Sequence, residues 1–239
     1  MVAIHELLTT KQEPAGAATQ RRGAFIVLEG LDRSGKTTQV KLLEQRFVEL
    51  NKPVKTVRFP DRTTLIGQMI DGYLRSNVEM DDHAIHLLFS ANRWEAAGRI
   101  KALLARGVNV IADRYFHSGV VYSAAKGNPA LGMEWARAPE VGLPRPDMVV
   151  FLDLAPGEAE RRGGWGEEKY ERGSMQRRVR ELFRELGTRE LGDGSGEREV
   201  LVLDAGESVE GVAEAIWATI RGRVEEVERG ERGELKTVV

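Results

Sequence analysis

Apolar and polar residues alternate along this chain in two rhythms, and the switches between them mark out the elements. Short apolar runs of the kind that fill buried strands occur at Ala24–Leu28, Val108–Asp113, Met148–Leu154 and Val200–Asp204, and Pro53–Phe59 alternates as a fifth strand would. Between them the apolar positions fall three and four apart: Val40, Leu43, Phe47 and Leu50 in a first helix, then a helix over Thr64 to Leu74. Asp81 and Asp82 place negative charge at the start of a long helix from about His83 to Arg106, with Ile85, Leu88, Phe89, Asn92, Ala96, Ile100 and Leu103 as its core stripe. A short helix over Tyr115 to Lys126 follows, broken by Gly127-Asn128-Pro129, and Gly142 to Pro146 makes a rigid connector. Pro156 opens a helix through Arg161, Arg177, Val179, Leu182, Phe183 and Leu186 mark another, and Ser208 caps a last one through about Arg221. Strands alternating with helices predict an α/β fold, a doubly wound five-stranded parallel sheet.

The ends read differently. Residues 1–22 hold few large apolar groups after Leu8 and are expected to be a disordered extension; Glu6 and Glu13 argue against an organelle transit peptide. The domain is expected over 23–222, with 223–239 a charged tail. At 239 residues an α/β chain commonly keeps one core. A net charge of −2 gives no global basic field, so no direct nucleic-acid binding is expected and any phosphate recognition is local. No apolar run reaches the length of a membrane span, and the absence of cysteine removes thiol nucleophiles and thiolate metal sites. The expected location is the cytoplasm, with the nucleus open as well.

Candidate chemistry begins where the first strand meets the first helix. Gly30-Leu31-Asp32-Arg33-Ser34-Gly35-Lys36-Thr37 satisfies the G-x-x-x-x-G-K-[ST] pattern of a P-loop in the required strand-to-helix context. Gly30 and Gly35 let backbone N–H groups turn inward, the helix aims its positive end at the same point, and Lys36 adds an ammonium; a triphosphate tail fits this cradle. Thr37 supplies a hard oxygen for Mg²⁺. Asp113 ends a buried strand as a Walker B carboxylate does, although an ion pair with Arg114 is the plainer alternative. Arg58 and Arg62, after the second strand, are candidates for a further anionic group or else solvated arginines. Phe89 and Arg93 lie four apart on one helix face, where a ring and a guanidinium serve a nucleobase, or else a core aromatic and a snorkelling cation. His83 and His86 read as exposed helix residues rather than metal ligands. Arg161 to Tyr170, rich in glycine and bracketed by cations, has the makings of a lid.

Taken together, the stretches Gly30 to Thr37, Arg58 to Arg62, His86 to Glu95, Asp113 to Tyr115 and Gly142 to Asp147 resemble thymidylate kinase in order and spacing, over roughly Gly23 to Arg221. The resemblance implies a nucleoside monophosphate kinase fold with a short lid, a homodimer, and phosphoryl transfer from MgATP to dTMP. A deoxynucleoside kinase or another nucleoside monophosphate kinase is the alternative. Carried over by position, Gly30, Asp32, Arg33, Ser34, Gly35, Lys36, Thr37 and Thr38 serve the donor phosphates, and Thr37 and Asp113 the Mg²⁺. Asp32 accepts from the sugar 3′-hydroxyl, Arg62 and Arg114 hold the acceptor phosphate, Phe89 stacks on thymine and Arg93 bonds its O4. Phe59, Ser118, Gly119, Tyr122 and Tyr170 complete that end, with Tyr122 against the deoxyribose. Arg33, Lys36, Asp113 and Arg114 are the implied catalytic set, with Arg33 as a catalytic arginine placed in the P-loop rather than in the lid of Arg162 and Lys169. A regulatory GTPase would want an N-K-x-D motif, and the single Asn-Lys pair, Asn51-Lys52, lacks the Asp.

Overall fold

The computed structural model describes residues 21–155, 158, 168–170, 173–191 and 196–239. Five strands, β1 (Phe25–Gly30), β2 (Val54–Arg58), β3 (Asn109–Asp113), β4 (Met148–Asp153) and β5 (Leu201–Asp204), pair in parallel in the order β2-β3-β1-β4-β5. The expected doubly wound α/β sheet is therefore present, with strand bounds within two residues of those read from the pattern. The chain passes from one side of β1 to the other, so the carboxyl end of β1 opens on the crevice where such sheets bind ligands.

Alternation along β1 splits the core in two. Phe25 and Val27 face α3 (Asp82–Ala105), α4 (Phe116–Ala125) and α6 (Gly173–Leu186), meeting Ile100, Leu104, Val120, Val179 and Phe183. Ile26 and Leu28 face α1 (Lys36–Glu49) and α7 (Val209–Glu228), meeting Val40, Leu43, Phe47, Ile216 and Ile220. Phe151 of β4 stacks on Phe183 with centroids 4.4 Å apart, a contact whose truncation to alanine costs about 3–5 kcal/mol. Two shorter elements complete the order: α2 (Leu65–Leu74), capped by the Thr64 hydroxyl accepting from Gly67 N, and α5 (Met133–Arg137), which runs into a 3₁₀ turn at Ala138–Glu140.

Several expectations are corrected. The last helix does not stop at Arg221: Val224 and Val227 extend its buried stripe, and it runs to Glu228. The charged tail is part of the domain, because Gly142 N donates to Val238 O, Val238 N to Leu143 O and Arg145 N to Lys236 O, each at 2.9 Å, and Val238 is buried beside Leu143. Arg22 belongs to the domain as well, its guanidinium buried against Asp147 at 2.6 and 2.7 Å and reaching Gly233 O. On α3 the buried face includes His86, Ser90, Arg93, Ala97 and Leu104, while Leu88, Phe89, Ala96 and Leu103 are only half-buried. His86 is not an exposed residue: its Nδ1 meets the Ser123 hydroxyl at 2.7 Å, and burial, then the charge of Arg93, lowers its pKa to about 4. On α6 the inward position is Gln176, and Arg177 is exposed. The expected extension over 1–20, the Pro156 helix, and lid residues 161–167 with Arg162 lie outside the described residues, as do 192–195.

Candidate active site

At the carboxyl end of the sheet lies a cavity of about 710 Å³. One end is walled by Ala205, Glu207, Val209 and Val212, the middle by the P-loop with Asp113 and Arg114, and the far end by Phe59, Arg62, Phe89, Arg93, Ser118, Gly119, Tyr122 and Tyr170. A single trough thus joins the phosphate cradle to the residues proposed for a second nucleotide.

The cradle forms because the chain leaves β1 in a left-handed turn. Gly35 has φ 91°, which suits glycine, but Arg33 holds φ 62° with a full side chain. A Cβ on Gly30 would stand 2.6 Å from the Ser34 hydroxyl and 3.0 Å from Leu152 O, so the turn leaves no ready room for a side chain there. Lys36 starts α1, and its Nζ donates to Leu31 O at 2.5 Å. Burial, reinforced by the neighbouring Arg114 cation, lowers its pKa to about 7. The Thr37 hydroxyl donates to Asp113 Oδ2 at 2.8 Å, and Thr38 lies on the same wall. A hydroxyl beside a carboxylate is a hard-oxygen pair that fits Mg²⁺. Among the described residues no group of three or more His, Cys, Asp or Glu could hold a metal ion.

Arg114 does not pair chiefly with Asp113. At φ 67° its side chain turns back over β1, donating to Gly30 O at 2.9 Å, Ser118 Oγ at 3.1 Å and Asp32 Oδ1 at 2.5 Å. Burial raises the Asp32 carboxyl, but the charges of Arg114 and Lys36 outweigh it and hold the pKa below its ordinary value. Asp32 Oδ2 also accepts from Tyr122 at 3.2 Å and from Gln176 Nε2 at 2.7 Å. Tyr122 is buried on α4 under the Arg114 guanidinium, 5.2 Å from its ring centroid, and its ring lies 5.7 Å from that of Tyr170.

At the far end Arg93 is buried, and its Nε donates to Glu140 Oε2 at 2.8 Å while Nη2 meets Oε1. It is neither snorkelling nor solvated. Gly119 makes space for it, since a Cβ there would lie 2.5 Å from Arg93 Nη2. Arg62 reaches the cavity with its guanidinium held by Asp71 at 2.6 Å and Glu168 at 2.7 Å. Arg58 is largely exposed and lies 3.8 Å from Asp113. Lys169 turns away from the cavity, its Nζ paired with Glu79 and 4.3 Å from the Tyr73 ring centroid.

Three supporting residues escaped the sequence reading. Glu29, fully buried, accepts from the N–H groups of Tyr115 and Ser118 and from the Ser118 hydroxyl, fixing the start of α4 beneath Arg114; burial raises its pKa against the opposing charge of Arg114. Gln176 also accepts from Asp32 N and donates to Tyr170 O, tying α6 to the P-loop. Glu140 is the third.

The sequence model of the thymidylate kinase family matches residues 28–216. A thymidylate kinase of Arabidopsis thaliana is 44% identical over 214 residues, covering 90% of this chain and 77% of that protein. One from Schizosaccharomyces pombe is 47% identical over 193 residues, covering 81% and 89%. The solved structure of Candida albicans thymidylate kinase, described as revealing the origin of broad substrate specificity and a novel structural element, superposes with a TM-score of 0.78 at 33% identity, covering 91% of this chain and 99% of that one.

Proposed function

Because this chain belongs to the thymidylate kinase family, we infer that it moves the γ-phosphoryl group of ATP to the phosphate of dTMP, giving dTDP and ADP. The observation that carries the reading is the single trough in which the P-loop lies between the Ala205–Val212 wall and the Phe89–Arg93 wall. Two nucleotides laid end to end in it bring their phosphates together over Lys36, Arg33 and Arg114. Phosphoryl transfer needs alignment and positive charge rather than a protein nucleophile, and the trough provides both.

In this mechanism Lys36 and the inward N–H groups of residues 33–37 hold the donor phosphates. Thr37 and Asp113 would hold Mg²⁺, which when bound neutralises charge on the phosphate oxygens. Arg33 turns its cation toward the transferring group from within the cradle. Arg114, positioned by Glu29 through Ser118, and Arg62 hold the acceptor phosphate, while Asp32 takes the 3′-hydroxyl. Phe89 stacks on thymine, Arg93 donates to O4, and Tyr122 packs under the deoxyribose.

We also propose that two copies pair. Leu65 and Met69 on α2 and Leu87 and Trp94 on the adjoining α3 are exposed large apolar side chains, and a second copy is the occupant that the family resemblance implies for them. Sedimentation equilibrium tests this, and a monomer at micromolar concentration refutes it. The activity is tested by coupled ADP release against a panel of nucleosides and nucleoside monophosphates. Turnover is expected with dTMP and dUMP, whereas thymidine turned over as well as dTMP would refute the acceptor assignment.

A further inference from the structure

We propose that Glu140 is a positioning residue for acceptor choice, acting through Arg93; the inference rests on the reading of Arg93 as the group that bonds the base. Glu140 is fully buried and, unlike Arg93, does not line the trough. Its carboxylate grips Nε and Nη2 of Arg93 side by side, a two-point contact that fixes the plane of the guanidinium as well as its position. Nη1 takes no part in that contact, and Arg93 lines the trough, so Nη1 is the nitrogen assigned to the ligand.

The turn carrying Glu140 is itself held from several directions. Pro139 O accepts from the Ser90 hydroxyl at 3.1 Å and from Trp94 Nε1 at 2.9 Å, both on the same helix as Arg93. Leu143 N donates to Glu140 O at 3.1 Å, and the neighbouring Gly142 N is tied to Val238 O in the C-terminal tail. The bare backbone of Gly119 lies close against the same guanidinium, where a Cβ would stand 2.5 Å from Nη2 and 3.0 Å from Cζ and Nη1. Arg93 is thus clamped in a slot before any ligand arrives.

A clamped donor distinguishes bases in a way that a mobile one does not. A carbonyl oxygen at pyrimidine position 4 meets Nη1, whereas the amino group of cytosine meets it donor to donor. A guanidinium free to swing would relax away from that clash and lose the distinction. Loss of the Glu140 charge is therefore expected to erode preference, through weaker dTMP binding, and to leave the transfer step at saturation nearly intact.

The test measures kcat and KM for dTMP and dCMP in the wild type, Arg93→Met, Glu140→Gln and the double variant. Arg93→Met is expected to lower the dTMP to dCMP ratio of kcat/KM by about tenfold or more, and Glu140→Gln by about fivefold or more, mostly in KM for dTMP. The double variant is expected to match Arg93→Met alone, because Glu140 has nothing left to position. An unchanged ratio in Arg93→Met removes the base-reading role, and this proposal with it. A lowered ratio in Arg93→Met, with Glu140→Gln slowing both substrates equally, overturns the proposal while leaving Arg93 in place. Should Glu140→Gln not fold, the wild type still decides: the Arg93 Nε–H resonance is expected to exchange slowly and to stay unshifted when dTMP binds. Rapid exchange with water in the free protein overturns the clamp.

Discussion

Nucleotide binding is expected to draw a proton onto Lys36. In the free protein burial and the Arg114 charge hold this amine at a pKa of about 7. A triphosphate in the cradle supplies negative charge and returns it toward its ordinary value of about 10.4. At pH 8 only about a tenth of Lys36 is charged before binding, so uptake approaches about 0.9 proton; at pH 6 it falls to about 0.1. Titration calorimetry of MgATP in buffers of different ionisation enthalpy reads this directly. The terminal phosphate titrates nearby, so the quantity compared is wild type minus Lys36→Met. The same group has a stability signature. Between pH 7 and about 10.4 the unfolded chain keeps the proton that the folded chain has lost, so its contribution to stability rises with pH across that window. Below pH 7 the full cost of burying the charge stands, and there Lys36→Met is expected to raise Tm, with the gain fading as pH approaches 10. A proton uptake independent of pH, together with a Lys36→Met effect on Tm that does not vary with pH, would refute the reasoning.

Other outcomes follow from the same geometry. Arg33→Ala is expected to lower kcat by about 10³ or more and Lys169→Ala by less than about tenfold, since Lys169 points at Glu79 and Tyr73; single-turnover rates check the order, and its reversal moves the chemistry to the lid. Tyr122→Ala is expected to narrow the kcat/KM gap between dTMP and its ribose counterpart by about 1–3 kcal/mol, and an unchanged ratio ends the idea of a steric gate. The buried Tyr115 hydroxyl has no hydrogen-bond partner among the described residues, so Tyr115→Phe is expected to hold or raise Tm; a loss beyond about 1 kcal/mol by denaturant titration would mean that the hydroxyl is bonded in solution.

What could be read in the sequence had local signals. The P-loop and Asp113 sit at strand ends that their own apolar runs announce, and Phe89 with Arg93 share a face at helical spacing. Glu140 had none: it lies 47 residues from Arg93 in a three-residue turn, where no periodicity says what its carboxylate meets. Glu29 could have been found, because a carboxylate inside a strand buried on both faces demands partners. Gln176 sits in the stripe of Val179, Phe183 and Leu186, and a lone amide there was the available sign of a contact across the core. The α3 stripe differs from the buried face because, Asn92 apart, it follows apolar residues, whereas His86, Ser90 and Arg93 are buried through hydrogen bonds. Charge dominates the composition of the tail, and the scattered apolar residues that dock its end, Leu235 and Val238, form no periodic pattern.

The left-handed backbone at Arg33 has a consequence for engineering. A non-glycine residue at that φ costs about 1–2 kcal/mol, so a screen that selects only for thermal stability is expected to enrich glycine or asparagine at position 33. Such a library would collect robust, well-expressed proteins with little turnover, and their melting curves would give no warning. Selection for growth would retain arginine there despite the strain. Position 33 therefore serves as an internal control for any stabilised variant: when its residue changes, a gain in Tm has been drawn from the arginine proposed as catalytic.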